Sequence, residues 1–286
     1  MQGDALASSS IITITAGDGA KARVHLSGAH VTSWSPAGSE QDHLFVSAKS
    51  GFGPGVSIRG GIPVCFPQFG ADGPLQQHGF ARVSTWTLLE VEENADRARA
   101  AFRLVESDAT RALWPHAFSA ELTVIIGGAS LEVSLAVTNN DAPGTVESAD
   151  TFRFTAALHP YFRVDDAYEC TVSGLEDRTY RDALEARGMF RQEGASLPIG
   201  GAIDRVYFDV PGTVQLRGGR GGLEIERAGF PDVVVWNPGA DGVAQRADFH
   251  QGDELRFVCV EAAVVGHPVV LEPGATWTGV QRVTVR

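Results

Sequence analysis

The stretch ELTVIIGGASLEVSLAVTNN (residues 121–140) alternates apolar and polar side chains with a period of two around Gly127 and Gly128. In its second half Leu131, Val133, Leu135 and Val137 fall on one side, Glu132, Ser134 and Thr138 on the other. Only an extended strand sends successive side chains to opposite faces, so the spacing describes two half-buried strands joined at the glycines. The pattern recurs along the chain. TWTLLEVEENADRARAAFRLVE reads as a hairpin turning near Asn94, TVQLRGGRGGLEIERAG as another around a glycine-rich turn, and ELRFVCVEAAVV and ATWTGVQRVTVR as further strands. SDATRALWPHAF offers one short turn of helix, broken at Pro115, whose ring cannot continue it. Many short strands with Gly/Pro turns and almost no long helical period specify an all-β sandwich or barrel. No Pro/Ser-rich linker and no fixed-period repeat divides the 286 residues. The simplest expectation is one domain, 1–286, of stacked antiparallel sheets.

Composition narrows the function classes. The net charge is −12, a poor match to nucleic acid or an anionic membrane. An anionic ligand would need a few well-placed cations acting against that field. No apolar run approaches the roughly 18–20 residues that cross a bilayer. The opening MQGDALASSS has neither the basic nor the apolar region of a secretory signal. Cys65, Cys170 and Cys259 are far apart and odd in number, which points to buried free thiols in a reducing compartment. The expectation is a cytoplasmic protein, and a monomer, since no long exposed apolar stripe is evident.

Chemistry concentrates at loops and strand ends, where β scaffolds usually carry function. FRFTAALHPYFRV (152–164) reads as a buried strand that ends on His159 and a proline. A lone histidine at a strand end is more often a hydrogen-bonded structural residue. Glu261 shares parity with Phe257 and Cys259, so its carboxylate is placed on their side of the strand. A buried carboxylate is costly unless paired; the alternative is a strand-end glutamate that reaches solvent. Together the two suggest a general acid and base. There is no nucleophile elbow, and no HxH, HExxH or cysteine cluster, so neither covalent acyl chemistry nor a catalytic metal has support. Arg59 precedes glycines that permit close approach to the backbone, and Arg82 closes QHGFAR. Guanidinium groups bind phosphate or carboxylate through paired hydrogen bonds, but spacing alone does not show that these two converge.

The stretches RGGIPVCFPQFG, QHGFAR, TAALHPYF, IDRVY, VVWNP and FVCVEAA, in this order from about residue 57 to 262, resemble the glucose-6-phosphate 1-epimerases, or hexose-6-phosphate mutarotases, of the wider aldose 1-epimerase group. The resemblance implies a large antiparallel β-sandwich, the galactose mutarotase-like supersandwich. It implies a cofactor-free isomerase that interconverts the anomers of a sugar phosphate. On it, His159 is the catalytic acid and Glu261 the base, and Arg59, Gln77, Arg82 and Asp204 bind sugar and phosphate. His78 lies in the same motif, with sugar contact or proton transfer as its two readings. Trp236 either stacks on the sugar or fills the core. The chain departs from many relatives at WNPGADGVAQRADF, where Gly239 replaces a bulky aromatic and Arg246 stands near the usual lysine position. Two other functions stay open: a mutarotase of unphosphorylated aldoses, against which the two arginines argue, and a non-catalytic carbohydrate-binding module, against which the acid–base pair argues. A glycosidase ranks last, because it would usually need two carboxylates flanking the bond.

Overall fold

The computed structural model describes residues 10–142, 151–218 and 221–286. The N-terminal stretch read for a signal lies outside these residues except for Ser10, as does the centre of the glycine-rich turn, 219–220. A three-stranded sheet (Ile11–Thr15, Lys21–His25, His30–Ser35) accompanies an eight-stranded and a nine-stranded sheet. Every ladder between the described strands is antiparallel.

The hairpin read from residues 121–140 forms as expected. Phe118–Gly127 pairs with Ser130–Asn139 along its whole length, and Leu131, Val133, Leu135 and Val137 are all buried. These strands belong to the nine-stranded sheet, which turns one face to the core. Val258, Val260 and Ala262 of the eight-stranded sheet and Trp34 of the small sheet reach the same core. The architecture is therefore a β-sandwich, the one of the two all-β forms left open by the periodicity that the resemblance implied. The three cysteines are buried and unpaired.

Helix is scarce. Asp108–Leu113 is one short α-helix, started by a reciprocal Ser107–Thr110 capping box. A second, Gly239–Ala244, was not legible as a helix in the sequence; it follows the strand Asp232–Asn237. Gly239 has φ +64°, and a Cβ there would sit 2.9 Å from the Cβ of Ala202. The turn at this position therefore favours glycine. No described helix is long and apolar enough to cross a membrane.

The strand Phe257–Leu271 decides where the site lies. Its first eight residues are buried on both faces. Val258, Val260 and Ala262 point into the main core, while Phe257 and Cys259 pack with Tyr161, Phe249 and Trp236 in a second cluster. Alternation places Glu261 on this second side, away from the sandwich interior.

Candidate active site

Cross-strand register assembles the floor of the site. Glu261 pairs with Val234, Val234 with Val206, and Val206 with Arg181. In the neighbouring row Asp204 pairs with Trp236, Trp236 with Cys259, and Cys259 with Tyr161. Directly paired residues project to the same face, so two rows form without any loop, one ending in Glu261 and Arg181 and the other in Asp204 and Tyr161, with apolar residues between. His159 follows the strand Phe152–Leu158, and its backbone N–H donates to the Pro63 carbonyl at 3.0 Å. That bond ties the end of the strand to the loop that follows Arg59.

His159 Nε2 lies 3.2 Å from Glu261 Oε1, with 8% and 1% of the two side chains exposed. The imidazole stacks on Tyr161 at 5.0 Å and 11°, and meets Trp236 and His78 edge-on at 5.7 Å each. The separation is that of an ion pair, but the surroundings favour neutral forms. Burial holds His159 well below the ordinary histidine range, reinforced by His78, Arg82 and Arg59. Burial pushes Glu261 well above the carboxylate range, reinforced by Asp204. The pair therefore shares one proton rather than carrying two full charges.

Both arginines foreseen from sequence reach this cavity, with Gln77, His78 and Asp204. Arg59 is oriented on two sides: Nε donates to Asp248 at 3.0 Å, and a terminal nitrogen donates to the Tyr161 hydroxyl at 3.0 Å. Its turn depends on Gly60 and Gly61, at φ +118° and +62°. A Cβ on either would lie 2.3 Å from a carbonyl oxygen, that of Phe45 or Val31. The buried His30 fixes the same turn by donating from Nε2 to the Gly60 carbonyl at 2.7 Å. Arg82 donates to the Gln77 carbonyl at 2.8 Å, and its Nε has no protein partner among the described residues. His78 Nδ1 accepts the Gly70 N–H at 3.2 Å, which leaves the ring proton on Nε2. Burial, with Arg82 and Arg59, holds its pKa down to about 3, so it is a neutral donor. Asp204 is raised to about 6 by burial and by Asp182, against the pull of Arg181, Arg187 and Arg246.

Three of these groups gave no usable signal in the sequence. Arg181, Arg187 and Asp72 form an ion triad at one edge of the cavity, with contacts of 2.9 and 2.6 Å. Arg187 and Ala186 both sit in the left-handed region, at φ +60° and +51°, a local cost of the kind found at functional turns. Their spacing resembles any exposed hairpin. Tyr161 was findable, two residues past His159 on the same parity. Arg246, noted as a departure, does line the cavity, its guanidinium 6.0 Å from the Trp236 ring. Trp236 packs on Phe257 and also lines the cavity, so neither reading of it excludes the other.

The cavity measures 280 Å³, small for a ligand site and sized for one monosaccharide. Five guanidinium groups and three carboxyls line it, in a chain of net charge −12. A larger cavity of 570 Å³, lined by Phe52, His25 and Leu26, is mostly apolar and holds neither His159 nor Glu261. We take the smaller as the site because it alone contains the buried acid–base pair.

The sequence profile of the family described as aldose 1-epimerase matches residues 10–284, and the chain belongs to that family. A relative from Cenchrus ciliaris, named "Putative glucose-6-phosphate 1-epimerase", is 35% identical over 267 residues, 90% of this chain and 79% of its own length. One of the same name from Escherichia coli K12 is 37% identical over 248 residues, 85% and 79% of the two chains. A crystal structure titled as a "putative mutarotase" from Salmonella typhimurium superposes with a TM-score of 0.86 at 29% identity, over 96% of this chain and 90% of that one. The protein is thus an epimerase that acts on a sugar.

Proposed function

We propose that the protein interconverts the α and β anomers of D-glucose 6-phosphate and related hexose 6-phosphates. The observation that carries the reading is a buried imidazole–carboxylate pair, 3.2 Å apart, in a monosaccharide-sized cavity rich in guanidinium groups. The ring oxygen and the anomeric hydroxyl are borne by one carbon. A proton donor and a proton acceptor held side by side can therefore address both at once. Glu261 takes the proton of the anomeric hydroxyl, and His159 gives one to the ring oxygen. The C1–O5 bond breaks, leaving an aldehyde and a hydroxyl. Rotation about C1–C2 exposes the other face, and reversal of both transfers closes the ring as the other anomer.

Arg59 and Arg82 lie on the His159 side and are suited to a phosphate dianion. Asp204 and Gln77 offer acceptors and donors for ring hydroxyls, and His78 Nε2–H a further donor. A neutral aldose has no need of so many cations, which favours the phosphorylated substrate over the free sugar. We further propose that residues 1–286 act as one domain, as a cytoplasmic monomer. Anomer-exchange NMR over a panel of hexose 6-phosphates and free hexoses tests the reading. Exchange of glucose 6-phosphate well above that of glucose, inhibited by inorganic phosphate, is expected; equal exchange of both refutes the phosphate specificity. Size-exclusion chromatography checks the monomer.

A further inference from the structure

The substrate's phosphate has a second use in this cavity, which rests on the functional reading above. For ring opening, His159 must hold a proton and Glu261 must not. The free protein favours the reverse. The imidazole feels the charge of Arg82, whose Nε has no protein partner among the described residues, and of Arg59, one aromatic ring away through Tyr161. His78 meets it edge-on as a neutral ring. Glu261 is faced by the Asp204 carboxyl and by the un-ionised thiols of Cys65 and Cys259, both pushed up by burial. Cations thus stand on the side of the group that should gain a proton, and a carboxylate on the side of the group that should lose one. Asp248 balances only Arg59.

We infer that the phosphate dianion of the substrate, docking on Arg59 and Arg82, drives the single proton of the buried pair from Glu261 to His159 and so arms it for ring opening. The Oε1–H bond breaks and the Nε2–H bond forms across the 3.2 Å contact, so the pair's net charge does not change. The dianion cancels the two guanidinium charges and, with the Asp248 carboxylate beside Arg59, leaves the imidazole side net negative, which draws the proton to the histidine. Phosphate in this scheme acts on turnover and not on binding alone. A neutral sugar of the same shape enters the cavity but meets a histidine without the proton that the ring oxygen needs.

The test divides the substrate in two. D-Xylose keeps the pyranose ring and ring hydroxyls of glucose but lacks the phosphorylated carbon, and inorganic phosphite supplies the dianion. Enzyme-dependent xylose anomer exchange is measured by NMR with and without phosphite, after subtracting the enzyme-free rate at each phosphite concentration. We expect a saturable rise in kcat/KM of at least tenfold, lost in Arg82→Ala. In protein labelled with ¹⁵N-histidine, phosphite is expected to convert the His159 Nε2 resonance from the unprotonated to the protonated range; His159→Asn identifies the signal. Both results are required. If glucose 6-phosphate is turned over but phosphite fails to activate xylose, or His159 stays neutral, the inference falls and the functional reading survives. If glucose 6-phosphate itself is not turned over, both fall.

Discussion

Asp204 stands in the floor row beside Trp236, half-buried, with its pKa raised from 3.8 to about 6 by burial and by Asp182. A rise of that size corresponds to about 3 kcal/mol between the protonated and ionised forms of the folded protein. The folded carboxyl holds its proton more tightly than the unfolded one, so its ionisation weakens the fold. The penalty is absent below pH 3.8, grows as pH rises through the window to about 6, and is constant above it. Asp204→Asn removes the charge but keeps a polar group of the same shape. Partial solvent access makes 3 kcal/mol a ceiling, so we expect the variant to be more stable than wild type by about 1–3 kcal/mol at pH 7.5. The two should converge near pH 4. Urea denaturation at half-unit steps from pH 4 to 8 reads the difference directly. A difference that does not change with pH would show that the ionised carboxylate is compensated in the fold, and would refute the reasoning from burial and Asp182. Turnover should fall in the same variant, since the proposed sugar contact is lost while stability rises.

Replacing His159 by Gln or Glu261 by Gln should each lower kcat by about 10²–10⁴-fold with an unchanged circular dichroism spectrum. The double variant should be little worse than the poorer single one, because the two act as a unit. Gly61→Ala should destabilise the fold by roughly 2–4 kcal/mol and raise KM, as the new Cβ would meet the Val31 carbonyl and His30; thermal denaturation and steady-state exchange check both. His30 is held down to about 3 by burial, so the unfolded chain takes up a proton near pH 6.5 that the folded chain refuses. That contribution to stability is complete above 6.5 and is lost as pH falls towards 3. His30→Gln should reduce the slope of stability against pH by about 1.4 kcal/mol per unit between pH 6 and 4, read from urea midpoints.

Local pattern carried much of the structure. The hairpin at Gly127–Gly128 and the parity of Phe257, Cys259 and Glu261 follow from the two-residue repeat, which operates within a single strand. His159, Glu261, Arg59 and Arg82 were visible because each breaks its local pattern, as a polar group ending a buried strand or a cation beside glycine. Arg181, Arg187 and Asp72 break no pattern. They meet only because one hairpin and one loop, far apart in the chain, border the same sheet edge. The helix Gly239–Ala244 was hidden for a similar reason: Gly239 is demanded by Ala202, not by its neighbours in sequence.

The sequence by itself determined an all-β fold of short strands and the kinds of group available to its chemistry, because side-chain alternation and backbone punctuation act over a few residues. Only the tertiary structure decided the state of those groups. Whether the proton rests on Glu261 or on His159 depends on burial and on the fields of Arg59, Arg82 and Asp204, which act through space across strands that the chain order does not join.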